Sequence, residues 1–155
     1  MIGADPAVRV SVDGTNRVDG RELLHAIRAA EASVPVAEVG PAGLSALEPL
    51  VAATLDGETA FFERCPIERA RTIAADLDDG TLPTDGATAV VEHDPGTATL
   101  PIPDEGPLGV GTRAMLRSCY WVAPTSVEDY RAGGSPVTQP LLSGERTRVR
   151  VRSPS

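Results

Sequence analysis

The side chains of this sequence best suited to nucleophilic or metal chemistry are two cysteines, Cys65 and Cys119, and two histidines, His25 and His93. Metal and cluster sites draw several such ligands from short, repeated spacings. Here the cysteines stand far apart and outside any Cys-x-x-Cys, so neither a dithiol redox pair nor a disulfide framework is expected. Cys65 precedes a helix, where amide dipoles lower a thiol pKa, but Pro66 removes one of those amides and a plain buried thiol is expected. His25 falls inside a helical pattern as a surface or packing residue, and His93, between Glu92 and Asp94, has no partner at ligand spacing and reads as a solvated turn. Gly109-Val110-Gly111 lacks the strand, third glycine and helix that make a phosphate loop work, and the serines show no nucleophile elbow. Tyr120 and Trp121 have few other aromatics to hide among; they form either an exposed docking patch or a cap on a small core. No complete catalytic or metal-binding constellation is expected in this chain.

The elements that would position these groups are legible from periodicity. Residues 8–12, Val-Arg-Val-Ser-Val, alternate apolar and polar as a half-buried strand does. Asp19 lies three residues before Glu22, a capping-box spacing, and Leu23, Leu24, Ile27 and Ala30 continue at helical spacing until Ser33, before Pro35. Residues 36–39 read as a second strand, and 40–43 as a loop. Two apolar runs, 49–55 and 58–62, flank Asp56-Gly57, a strong short hairpin signal. Pro66 suits a first helical turn, and Ile67, Ala70, Ile73, Ala74 and Leu77 form an apolar stripe. The order β-α-β then β-β-α predicts an α/β domain, a four-stranded thioredoxin-like sheet with packed helices over residues 1–78, followed by an irregular extension.

Beyond it, residues 79–111 read as a linker in which 87–92 offer one more strand. Residues 125–131 suit two turns of helix, and 135–155, with Arg148, Arg150 and Arg152 among Ser, Pro and Gly, read as a disordered tail. The pieces after residue 94 are expected to be too few for a second core. At 155 residues the chain suits one core of roughly 80 to 110 residues plus a tail. All 14 basic residues are arginine against 22 acids, the composition of a protein from a high-salt cytoplasm or a GC-rich genome. The acids concentrate before residue 141, so the body repels nucleic acid and anionic membranes. With no signal-peptide pattern and no run of membrane-spanning length, a cytoplasmic protein without membrane insertion is expected.

Two stretches resemble the start of the NADH-binding flavoprotein subunit of respiratory complex I and its NAD-reducing hydrogenase-type relatives. In some of these proteins a thioredoxin-like [2Fe-2S] domain precedes the flavin domain. The first stretch spans residues 8–77. In that family a glycine-led loop after the first strand carries cluster cysteines, and a Gly-Cys-x-Gly-x-Cys loop, followed shortly by Glu-Pro, carries the rest. Here the second loop reads Gly40-Pro41-Ala42-Gly43-Leu44-Ser45-Ala46-Leu47-Glu48-Pro49, with Pro41 and Ser45 where the cysteines would stand. The first loop, residues 13–20, keeps its framing glycines, Gly14 and Gly20, and has no cysteine near Thr15 and Asn16. The second stretch, residues 113–134, is similar to the opening segment of the flavin domain. It shares with that segment an Arg, Cys119, Pro124, Tyr130 and the pair Gly133-Gly134 in order, but has Tyr120 for a glycine and Ala123 for an aspartate.

The resemblance implies a ferredoxin-type domain that has lost its cluster, since a proline ring or a hydroxyl cannot replace a thiolate on iron. FMN, NADH and iron–sulfur clusters belong to the complete family enzyme, whose flavin loop and later cysteines do not follow Gly134 in this sequence. No cofactor is therefore expected in this chain. The reading is a cluster-free docking or structural module, a truncated or split form, whose partners are other subunits of such a complex and whose docking residues are Cys119, Tyr120, Trp121 and Tyr130. The alternative is a free-standing thioredoxin-like interaction module unrelated to respiration. An active thiol enzyme is a third possibility that a thiol-reductase assay would exclude.

Overall fold

The computed structural model describes residues 4–12, 17–30, 32–41, 43–94, 103, 106–109, 121–127 and 129. In chain order these form β1 (Ala7–Ser11), α1 (Arg17–Arg28), β2 (Val36–Val39), β3 (Val51–Leu55), β4 (Glu58–Phe62), α2 (Ile67–Asp78) and β5 (Ala89–Glu92). The sheet runs β2-β1-β3-β4-β5. β1 and β2 are parallel, joined across α1, and the other neighbours are antiparallel. The first four strands and both helices thus have the thioredoxin-like connectivity expected from the element order. The sheet has five strands rather than four, because the extra strand foreseen near residues 87–92 pairs with β4 and extends the edge.

Alternation along the strands divides the core into two layers. Val8, Val10, Val51, Ala53, Ala60 and Phe62 face α1 and α2, where Leu23, Leu24, Ile27, Ile73 and Leu77 cover them. Packing holds α2 in place more than its ends do. Its N-terminal residue Pro66 makes no side-chain cap, and such a cap is worth about 1 kcal/mol. Burying one Leu or Ile contributes roughly 1.5–3 kcal/mol, and Ile73 and Leu77 are both fully buried. At its C-terminus the amides of Gly80 and Thr81 donate to Leu77 and Asp76, closing the last turn. Asp56 and Gly57 both take positive φ, 52° and 75°, at the β3–β4 turn, as a tight hairpin that matches strand twist requires.

The opposite face carries Val39, Leu50, Ala52, Phe61, Ala89 and Val91, and no described helix lies on it. Leu108, from a short 3-10 turn at Pro107–Gly109, and Trp121 cover it instead. Leu108 and Trp121 therefore supply a second layer to the core, within the stretch that the sequence reading took as an irregular extension. β5, Leu108 and Trp121 all join the one sheet whose other strands precede residue 78.

α1 also departs from expectation. It begins at Arg17, so Asp19 lies within its first turn and not at its cap, and it ends at Arg28, with Ala29 and Ala30 in a turn. Among the described residues no helix is long and apolar enough to cross a membrane. Residues 113–120 and the tail 135–155 lie outside the described residues, as do Glu128, Tyr130 and Arg131.

Candidate functional site

Because β1 and β2 are parallel neighbours, with Ser11 paired to Val39, the chain leaves both strands at the same end of the sheet. Ligands of open α/β sheets characteristically bind outside such carboxyl ends. The Val12 amide still donates to Val39 at 3.1 Å, so the segments that enter both glycine-framed loops start side by side. Pro41 is half-buried there, and Ser45 is exposed at the start of the 3-10 turn Ser45–Leu47. Thr15 and Asn16 lie outside the described residues. Gly20, read from sequence as framing the first loop, sits inside α1. A Cβ there would come within 3.1 Å of both the Ser11 carbonyl oxygen and Val12 Cγ2, so glycine is what lets the helix lie this close to the end of β1.

The floor beneath these loops is polar and buried. Ser11 donates its hydroxyl hydrogen to Glu48 Oε2, and the Leu50 amide lies 3.1 Å from Ser11 Oγ and 3.0 Å from Glu48 Oε2. These bonds, with the Ser11 amide donating to the Leu50 carbonyl at 2.9 Å, tie the end of β1 to the start of β3 around the cis Glu48–Pro49 peptide. A serine on a carboxylate has the partners of a nucleophile and its base. Both side chains are buried, however, and the Leu50 amide bonds to the same two oxygens, so the pair acts as a brace.

A second polar set occupies the other end of β1 and the face away from the helices. Arg9 is fully buried there. Its guanidinium carbon lies 3.6 Å from the centroid of the Trp121 ring, and Nη1 donates to Thr54 Oγ1 at 3.1 Å. Thr54 and Thr59 join hydroxyls at 2.8 Å, and Thr59 meets His93 Nε2 at 2.8 Å. The His93 ring stands edge-on to Trp121, with centroids 5.4 Å apart. Asp129, also buried, accepts the Ala123 amide through Oδ2 at 3.1 Å. Burial lowers the Arg9 pKa to about 10, opposed by the charges of Asp129 and then Asp5. The guanidinium thus stays charged at neutral pH.

Sequence reasoning missed Arg9, Thr54, Thr59 and Asp129. Alternation placed Arg9 on the face opposite Val8 and Val10, and that face was taken to be wet. The available signal was Thr54 and Thr59, placed across from one another by the Asp56-Gly57 turn on the same face as Phe61.

Of the two readings of Trp121, its burial fits the core one: the ring is 1% exposed, beside Arg9 and His93. Cys119, Tyr120 and Tyr130, expected to dock with it, lie outside the described residues. His93 is half-buried with two ring hydrogen bonds, so the solvated turn expected there is a packed one. His25 is exposed on α1. Cys65 is buried on the helix side, where desolvation pushes its thiol pKa up to about 11 against the pull of Arg69; the helix start does not activate it. Among the described residues no three or more His, Cys, Asp or Glu side chains gather as a metal site requires. No protein-family model matches the chain, and no curated protein matches it.

Proposed function

We propose that this chain is a cluster-free thioredoxin-like module, serving as a docking or structural element of a complex I-type NADH dehydrogenase flavoprotein or its hydrogenase-type relatives. One observation carries the reading. The two glycine-framed segments that resemble cluster loops leave neighbouring parallel strands at one end of a thioredoxin-like sheet, and the second presents Pro41 and Ser45 where thiolates would be needed. The polar floor beneath them, Ser11 and Glu48, is bonded inward, which suits a loop end that supports contacts and not chemistry. The partners in this reading are other subunits of the complex, in the cytoplasm, and FMN, NADH and iron–sulfur clusters reside elsewhere in the assembly.

Elemental analysis and visible spectroscopy of the purified chain test the first half of the proposal: a colourless protein without iron is expected, and stoichiometric iron with cluster absorbance overturns it. Affinity capture from the source cell tests the second half, with NADH dehydrogenase or hydrogenase-type subunits as the expected prey. A second reading, a free-standing interaction module unrelated to respiration, is favoured by one finding. Trp121 and Asp129, in the stretch that resembles the opening of a flavin domain, are buried, and Trp121 closes this chain's own core. Capture of unrelated clients with no dehydrogenase subunit would decide for it.

A further inference from the structure

The hydrogen bonds beneath Trp121 give every hydroxyl hydrogen an acceptor in one direction. Arg9 has no lone pair to accept with, so Thr54 Oγ1 receives its hydrogen at 3.1 Å. In that direction the Thr54 hydroxyl gives its own hydrogen to Thr59, its other partner, at 2.8 Å, so that the hydrogen has an acceptor. The Asp94 carbonyl, 3.2 Å from Nδ1, can only accept, which places the ring hydrogen on Nδ1 and leaves Nε2 to receive the Thr59 hydrogen at 2.8 Å. The chain closes only if Nε2 is an acceptor, that is, if the imidazole is neutral.

We propose that His93 is a proton-sensitive latch: as a neutral acceptor it completes the chain from Arg9 and holds the Trp121 segment on the sheet, and on protonation it lets that segment go. A proton on Nε2 turns His93 into a donor to Thr59. Thr59 must then donate back to Thr54, which already receives from Arg9, and the buried Thr54 hydrogen is left without an acceptor. The charged ring would also sit at the edge of an indole whose face already holds the Arg9 cation.

The other charges near His93 favour an imidazolium that has turned outward. Glu58 and Glu92 face each other across β4 and β5, next to it in register. Asp5 accepts the Asp56 and Gly57 amides at the adjoining turn, whose Gly57 carbonyl takes the His93 amide hydrogen at 2.7 Å. Asp94 follows in sequence. Within the cluster Arg9 repels the imidazolium and Asp129 supports Arg9. The neutral ring therefore belongs inside, with the threonines and the tryptophan, and the charged ring outside, toward the carboxylates of Glu58, Glu92, Asp5 and Asp94. Two such positions make a switch. This inference does not depend on the chain's membership of a respiratory complex.

Trp121 is the sole tryptophan, so its emission reports on the latch. The experiment follows fluorescence and acrylamide quenching of the full chain between about pH 8 and pH 5, the span of histidine titration, with far-UV circular dichroism to confirm that the sheet persists. Emission should shift to the red and quenching should rise as pH falls. The response should survive His25→Gln and vanish in His93→Gln. Unchanged quenching in the native chain, or an undiminished response in His93→Gln, overturns the proposal. Should His93→Gln fail to fold, nitrogen NMR of the native imidazole at about pH 8 decides: the Nδ1–H tautomer is expected, and Nε2–H refutes the latch.

Discussion

Replacing Trp121 by alanine is the most direct challenge to the second layer of the core. The ring is 1% exposed, so nearly all of its surface counts as removed from water. A buried tryptophan withdraws roughly 200 Å², which at about 25 cal/mol per Å² amounts to about 5 kcal/mol. Alanine keeps a small part of that, and a compact unfolded chain reduces the rest. The stacked guanidinium at 3.6 Å adds a desolvated cation–π contact of about 2 kcal/mol, offset where water enters the vacated space and rehydrates Arg9. Together these place the loss from Trp121→Ala at about 4 kcal/mol, within the range seen for large aromatic-to-alanine changes in cores. Domains of this kind are stable by only about 5–15 kcal/mol, so the effect should be plain in urea denaturation followed by circular dichroism. Fluorescence cannot serve, because the variant has no tryptophan. Trp121→Phe retains a ring over Arg9 and should lose substantially less. If Trp121→Ala costs no more than about 0.5 kcal/mol, the scale of surface changes, Trp121 does not close the core and the reasoning is refuted.

Three further outcomes follow from the same geometry. Arg9→Met should destabilise the fold by about 3 kcal/mol by leaving buried Asp129 without its countercharge. Adding Asp129→Leu should recover most of that loss, and additive losses in a double-mutant cycle by urea denaturation would contradict the coupling. The Cys65 thiol should resist alkylation at about pH 8, reacting only as the protein unfolds. Its pKa is raised from 9.0 to about 11, so the fold holds a proton the unfolded chain releases: the thiol's contribution is full below pH 9, and stability falls as pH rises through that window. Arg9, whose pKa burial lowers to about 10, acts with the opposite sign above pH 10, so the Cys65 slope is read as the difference between the native chain and Cys65→Ala. Asp5→Ala removes the carboxylate that accepts the Asp56 and Gly57 amides, each at 2.8 Å; thermal melting should report a loss of about 1–2 kcal/mol from two charged bonds near the surface.

The sequence by itself determined the elements, and it did so where short-range physics suffices. Alternation marked β1, the Asp56-Gly57 pair marked the turn between β3 and β4, and the stripe from Ala70 to Leu77 marked α2, because strand pleat, positive φ and helical period act over a few residues. From their order came the thioredoxin-like connectivity. The sequence pointed to Asp19 as the cap of α1, whereas the helix begins at Arg17, since Gly20 answers to a close approach by β1 that no local pattern reveals. Only the tertiary structure decided that the second face of the sheet is dry. Alternation says which residues share a face, and nothing about what lies over it. Arg9, Thr54 and Thr59 became a buried hydrogen-bond chain because Leu108 and Trp121, distant in sequence, cover that face and exclude the water that would otherwise have solvated them.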